Sequence, residues 1–207
     1  TGDPDATFQP EGEHPGEFRY VDVDGSGSID ANDRTVFGNP NPDFTYGINA
    51  TVGYKNFDLT LYFYGVWGGN LINYTKWYTD FYSSFPGAAI SERVLNSWTP
   101  QHTNTKIPIF EDVSTASTNL YANSYYMENA SYFRSRNIQL AYTLPAGLLQ
   151  SAGISNLKVY VQAINLFTIT KYDGLDPAVR GEDGNMGVDY GTYPFVKQFL
   201  IGANVTF

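Results

Sequence analysis

Five stretches of this chain alternate between apolar and polar residues, and that period of two decides most of what it can fold into. In the first, Phe44, Tyr46, Ile48, Ala50, Val52 and Tyr54 share one side, opposite Thr45, Gly47, Asn49, Thr51 and Gly53. In the second, Phe57, Leu59, Leu61, Phe63 and Trp67 alternate with Asp58, Thr60, Tyr62 and Tyr64. Ile138, Leu140, Tyr142 and Leu144 then oppose Asn137, Gln139, Ala141 and Thr143, and a fourth run aligns Leu157, Val159, Val161 and Ala163. In the last, Phe199, Ile201, Ala203, Val205 and Phe207 oppose Gln198, Leu200, Gly202, Asn204 and Thr206. Side chains of a strand alternate between its two faces, so each run reads as a strand with one apolar face.

The links between the runs are short, long, short, long. Lys55-Asn56 is a two-residue turn and makes the first pair an antiparallel hairpin. The second link runs from Gly68 to about Ala130 and includes one helical candidate, capped by Ser91, with Val94, Leu95 and Trp98 on a face before Pro100. The third, from Pro145 to Ser155, has room for one helical turn, and the fourth is Gly- and Asp-rich from Thr168 to Pro194. Antiparallel pairing puts both short links at one end and both long ones at the other, with residues 1–41. Strands of about ten residues match a tilted bilayer crossing, whereas strands of a soluble sandwich run about five or six with shorter loops. Phe44, Tyr54, Phe57 and Trp67 stand near the strand ends, where interfacial aromatic girdles form. The pattern therefore predicts an all-β chain, an antiparallel transmembrane β-barrel segment with long extracellular loops. Arg134, Arg136 and Lys197 fall on the apolar parity of their runs. All three lie at long-loop ends, where a lipid-facing charge costs about 0–1 kcal/mol instead of about 2–4 at the midplane.

Composition removes other classes. The 207 residues include no cysteine, which excludes a disulfide framework, thiol catalysis and cysteine-ligated metal. A formal net charge of -9 opposes electrostatic nucleic-acid binding. No apolar run is long enough for a transmembrane helix. The start, TGDPDATFQP, has neither the basic nor the apolar part of a signal peptide. The acidity is local: residues 1–43 hold ten of the 21 acids, from Asp3 to Asp43, against Arg19 and Arg34. The sequence thus divides into an acidic Pro/Gly/Asp-rich loop, 1–41, and the strand-bearing part, 42–207.

Within the acidic loop, DVDGSGSIDAND matches the twelve-residue calcium loop. Asp22, Asp24, Ser26, the carbonyl of Ser28, Asp30 and Asp33 fall at ligand positions, and Gly27 at the sharp turn. A hard dication takes six to eight oxygens, which this spacing wraps around one point. Asp33 replaces the usual bidentate Glu with a shorter arm, so the expected ion is Ca2+, with Mg2+ as the alternative. The flanks GEFRY and RTVFGNP are not amphipathic helices, so no paired sensor hand is expected, and a dockerin-like module would need a second such loop.

Several of these runs resemble one family. DVDGSGSIDANDRTVFGNPNPDFTYGINATVGYKNFDLTLYFYG, RVLNSWTPQHTNTKIPIF, ASYFRSRNIQLAYTLP, NLKVYVQAINLFTITKYDGLDPAV and FLIGANVTF are similar to the late-barrel segment of SusC/RagA-type TonB-dependent outer-membrane transporters of Bacteroidetes. The resemblance implies five C-terminal strands of a 22-stranded barrel closed by a plug, in the bacterial outer membrane. It implies a SusD-like surface lipoprotein as cap, energy from TonB, and import of glycans or oligopeptides. Gly202, Val205 and the terminal Phe207 resemble the signal read by the barrel-assembly machinery. The plug and most strands of the family are missing from this sequence. Independently, five strands cannot close a barrel, and an open edge in hydrocarbon leaves unpaired backbone groups at several kcal/mol each. The chain is therefore expected to be a fragment that needs the rest of its transporter.

The long loop carries Tyr74, Trp77, Tyr78, Phe81, Tyr82, Trp98, Tyr121, Tyr125 and Tyr126. Such rings can stack on a sugar, contact a capping lipoprotein, or simply pack the loop. The two histidines, His14 and His102, are far apart, and no Ser/His/Asp spacing, phosphate loop or paired-carboxylate geometry stands out, so no enzyme is expected. The competing expectation is a secreted calcium-binding glycan-binding or adhesion β-module, separable by membrane fractionation.

Overall fold

The structure, a computed structural model, describes residues 15–81, 87, 89–110, 123–149, 153–179 and 184–207. Among the described residues the strands are β1 Phe44–Tyr54, β2 Phe57–Trp67, β3 Asn70–Asn73, β4 Met127–Asn129, β5 Tyr132–Thr143, β6 Asn156–Ile164, β7 Thr168–Thr170, β8 Val188–Asp189 and β9 Gln198–Thr206. The helix α1 covers Thr75–Thr79. The chain forms two compact units, residues 39–71, 128–188 and 192–207 in one, and 1–38, 72–127 and 189–191 in the other.

The first unit is the expected sheet. Its long strands are ordered β1-β2-β5-β6-β9, every pair antiparallel. The register carries the alternation across the sheet: Val52 faces Leu59, Leu59 faces Leu140, Leu140 faces Val161 and Val161 faces Ile201. One residue along, Thr51, Thr60, Gln139, Gln162 and Leu200 form a mostly polar row. Phe44 pairs with Trp67, Val66 with Tyr132 and Ile164 with Gln198, so the long connections leave from one end. The short ones occupy the other end, where Lys55 takes a left-handed φ of 53° in the hairpin turn.

Aromatic rings collect at both ends of the apolar face. At the loop end Phe44 stacks with Trp67, and Phe133 lies 5.3 Å from Phe63 and 6.4 Å from Tyr46 and Phe167. At the turn end the Phe57 and Tyr142 rings lie 4.7 Å apart. Phe199 and Ile201 are 73% and 87% exposed, so the band between the rings is not buried against protein in this unit. Two glycines serve close aromatic approach. Tyr46 lies over Gly65 and Tyr160 over Gly202, and a Cβ at either glycine would collide with the ring. A ring across a strand glycine covers backbone that glycine leaves bare.

The sheet departs from the expected pattern in two details. The ladder shifts between Tyr62, which pairs with Asn137, and Phe63, which pairs with Ser135. Arg136 is thus the extra residue of a β-bulge, and parity inverts beyond it. Ser135 and Phe133 join Phe63 on the apolar face, while Arg134 pairs with Tyr64 and Tyr132 with Val66 on the polar one. The placement of Arg134 and Arg136 on the apolar face fails for that reason. Lys197 lies just outside β9. The last long loop also starts later than Thr168. After a break at Asn165 (φ 51°), Thr168–Thr170 resumes pairing with Tyr132–Arg134.

The second unit contains α1 and several single turns. The helical candidate is one 3-10 turn, Glu92–Asn96, whose cap Ser91 Oγ accepts from the Arg93 N–H at 3.2 Å. Leu95 is 82% exposed, so Val94, Leu95 and Trp98 do not share a buried face.

Candidate functional site

On the polar face of the sheet the bulge gathers a cationic cluster. Arg134 is buried at 2% exposure. Its Nη2 donates to Asp176 Oδ1 at 2.6 Å and its Nε to Thr168 Oγ1 at 2.8 Å, while Nη1 is buried without an acceptor. The guanidinium lies 5.2 Å from the Tyr132 ring centroid and 5.3 Å from that of Phe195. Asp176 Oδ1 also accepts from the Ala178 N–H and its Oδ2 from the Phe195 N–H. Burial pushes its carboxyl up, but the bonds from Arg134, Ala178 and Phe195 outweigh this and hold it below the ordinary value. Arg136, half-buried, places its guanidinium 5.9 Å from the Tyr64 centroid and 5.1 Å from Phe195, and makes no ion pair with any of the described residues. Toward the turn end, Lys158 Nζ donates to Asp58 Oδ2 at 2.6 Å. Sequence reading missed Arg134, Arg136, Asp176 and Phe195 as a group. Their signal was the two charges on an apolar parity, which mark a bulge.

In the other unit, the acidic loop brings three of its expected ligands together. One carboxylate oxygen each from Asp22, Asp24 and Asp33 lies within 4.8 Å of the others, the spread of oxygens around a cation that binds at 2.3–2.6 Å. Asp22 Oδ1 accepts from the Gly25 N–H at 2.7 Å and Oδ2 from the Gly27 N–H at 2.8 Å. Gly25 and Gly27 have φ of 73° and 81°, conformations that glycine enters without a Cβ penalty. Asp33 accepts from the Asp30 and Val23 N–H groups, both at 2.7 Å, and these bonds hold its carboxyl below the ordinary value. The remaining expected ligands stand otherwise. Asp30 caps a 3-10 turn through Asn32 N, and Ser26 Oγ donates to the Ser28 carbonyl at 3.1 Å. Beside this loop an open cleft of about 1210 Å³ is lined by Phe18, Tyr20, Val23, Phe37 and Tyr125.

The loop aromatics divide into two groups. Phe81 and Tyr126 are buried, and with Tyr125 and Phe18 they form a ring cluster at centroid distances of 4.9 to 6.5 Å. Beneath it Asp80, fully buried, accepts from Arg93 Nε at 3.0 Å and from the Tyr125 hydroxyl at 2.5 Å. Burial, then the bond to Asp80, pushes the Tyr125 hydroxyl well above its ordinary value. Tyr74, Trp77 and Tyr78 form the second group with Tyr190, which the sequence did not suggest. Tyr74 stacks on Trp77 at 5.5 Å and meets Tyr190 at 5.0 Å, leaving Tyr78 and Tyr190 exposed. Trp98 packs over Gly16. Tyr82, Tyr121 and His14 lie outside the described residues. Of the three assembly-signal residues, Gly202 sits under Tyr160, Val205 pairs with Leu157, and Phe207 is exposed beyond β9.

No family model matches this chain. TonB-dependent receptor P3 of Formosa agariphila is 37% identical over 201 residues, covering 93% of this chain and 19% of that protein. TonB-dependent receptor SusC of Bacteroides thetaiotaomicron is 30% identical over 195 residues, covering 93% of this chain and 18% of that protein. The solved structure of the RagAB peptide importer in the closed-closed state matches with a TM-score of 0.72 and 28% identity, over 90% of this chain and 20% of the matched one. The chain belongs to the SusC/RagA-type TonB-dependent receptors. It spans about a fifth of the length of the relatives it matches. As in other SusC/RagA-type receptors, the sheet is part of an outer-membrane barrel wall. Its apolar face with the two rows of rings meets lipid, and its polar face with Arg134, Arg136, Asp58 and Lys158 lines the interior.

Proposed function

We propose that this chain is one sector of a TonB-dependent transporter that imports glycans or oligopeptides across the outer membrane, without catalysis. The observation that carries the reading is the two-faced sheet, apolar with terminal aromatic rows on one side and polar on the other, in a SusC/RagA-type sequence. The remainder of the transporter supplies the other strands and the plug, and through the plug the contact with TonB. A SusD-like surface lipoprotein caps the loops, and Gly202, Val205 and Phe207 form the signal for the barrel-assembly machinery. Tyr74 and Trp77 support the exposed rings of Tyr78 and Tyr190, a group suited to cargo or to that cap. Asp22, Asp24 and Asp33 hold a Ca2+ ion, or Mg2+, that ties the acidic loop together, and their convergence supports this.

The test is fractionation followed by uptake. The intact protein carrying this segment should partition with the outer membrane, and cells lacking it should lose import of at least one labelled oligosaccharide or peptide. Recovery of the intact protein in the aqueous phase would favour a secreted β-module and overturn the reading.

A further inference from the structure

We propose that Arg136, held at the bulge between Tyr64 and Phe195, is an oxyanion-recognition residue on the inner face of the barrel wall, taking a carboxylate or sulfate of a passing solute. The proposal rests on the transporter reading, because that reading makes the polar face an interior one.

Among the described residues, two guanidiniums share this corner with one carboxylate. Asp176 gives its oxygens to Arg134, Ala178 and Phe195, and its ion pair is with Arg134 rather than Arg136. Arg134 itself retains a buried Nη1 without an acceptor, so the corner is short of anionic oxygen even before Arg136 is counted. Lys158 and Asp58 satisfy each other elsewhere on this face and lend no acid to it. Among the described residues, therefore, no carboxylate compensates the charge of Arg136.

Its setting is that of a prepared site. Rings lie 5.9 and 5.1 Å from its centre, which restricts the guanidinium plane without using any N–H group. A restricted planar fork loses little entropy on accepting two oxygens, and such a bidentate bond is about twice as strong as a neutral one. Cation–π contact alone contributes little at a partly exposed position and leaves the fork free to take an anion. Phe195 is 55% exposed and Arg136 is half-buried, so an entering solute can reach the fork. Charge on a low-dielectric wall around water also concentrates counter-ions near it.

The experiment uses the intact transporter carrying this segment, purified in detergent, with calorimetric titration of trigalacturonate, triglutamate, sodium sulfate and the neutral maltotriose. The parent should bind at least one of the anionic probes, and Arg136→Gln should weaken that binding about tenfold while leaving any maltotriose binding unchanged. Arg136→Lys, which keeps charge and loses the fork, should fall between. The probe that responds names the source of the oxyanion. An unchanged anion-to-neutral ratio in Arg136→Gln, or no anion binding by the parent, overturns the proposal. So does a variant that melts earlier with unaltered ligand preference, which would assign Arg136 to an ion pair with another part of the polypeptide. Failure of the transporter reading looks different: Arg136-dependent binding would persist while cells lacking the protein import normally.

Discussion

Arg134 and Asp176 meet at 2.6 Å with only 3% of each side chain exposed, and this contact joins the sheet to its last long loop. Removing one partner of a buried pair costs about 3–5 kcal/mol, because the other charge stays buried alone. Asp176→Asn should therefore raise amide exchange at residues 171–179 and 192–196 by two or more orders of magnitude. The hairpin β1-β2 should exchange as before. Equal protection in parent and variant would contradict the anchoring role.

The same carboxyl sets a pH limit. Its folded pKa lies below the ordinary value near 3.9. Stability from this group is thus complete above the unfolded pKa and drains away as pH falls through the lower, folded one. The loop should be protected from protease at pH 5 to 7 and lose that protection below about pH 4. In Asp176→Asn the acid-dependent part should vanish, which a pH series of limited proteolysis reads directly.

At Gly202 the sheet has no room for a side chain under Tyr160. Gly202→Val should destabilise the wall by about 1–3 kcal/mol through overpacking. Pairing it with Tyr160→Ala should recover most of the loss, as monitored by heat-modified gel mobility of the intact barrel. A defect confined to recognition by assembly machinery would not be relieved by a change at Tyr160, so the double variant separates the two roles.

Chelation addresses the acidic loop. Withdrawal of divalent cations should speed amide exchange across residues 16–40 and leave the strands unaffected. Asp33→Asn should reproduce that change without chelator. If exchange in the loop is indifferent to both treatments, Asp22, Asp24 and Asp33 are a self-bonded turn.

The strands were legible because period two over nine to twelve residues admits few alternatives. The hairpin at Lys55, the antiparallel order and the single-ended grouping of long links follow from that alternation and from link length. The bulge was not read, because Arg-Ser-Arg-Asn contains no glycine or proline to announce it. Two arginines on an apolar parity are the available clue, since a change of parity accounts for them more simply than two lipid-facing charges at a loop end. In the acidic loop one aspartate can serve two chemistries. Asp30 satisfies the ligand spacing and equally the spacing of a capping box with Asp33, and spacing alone does not choose between them. Tyr190 joined Tyr74 through folding between segments more than a hundred residues apart, which no local pattern encodes.

The bulge has a last consequence, visible by subtraction. Excising one residue from the interior of a strand normally turns every side chain beyond the cut to the opposite face. Excising Arg136 would do the reverse. Asn137 already faces Tyr62 and Ser135 already faces Phe63, so the shortened β5 would pair with β2 without a gap. Pairing with β2 gives no reason for a residue here. Its retention has to be explained by what the side chain touches and by the extra twist it gives the wall.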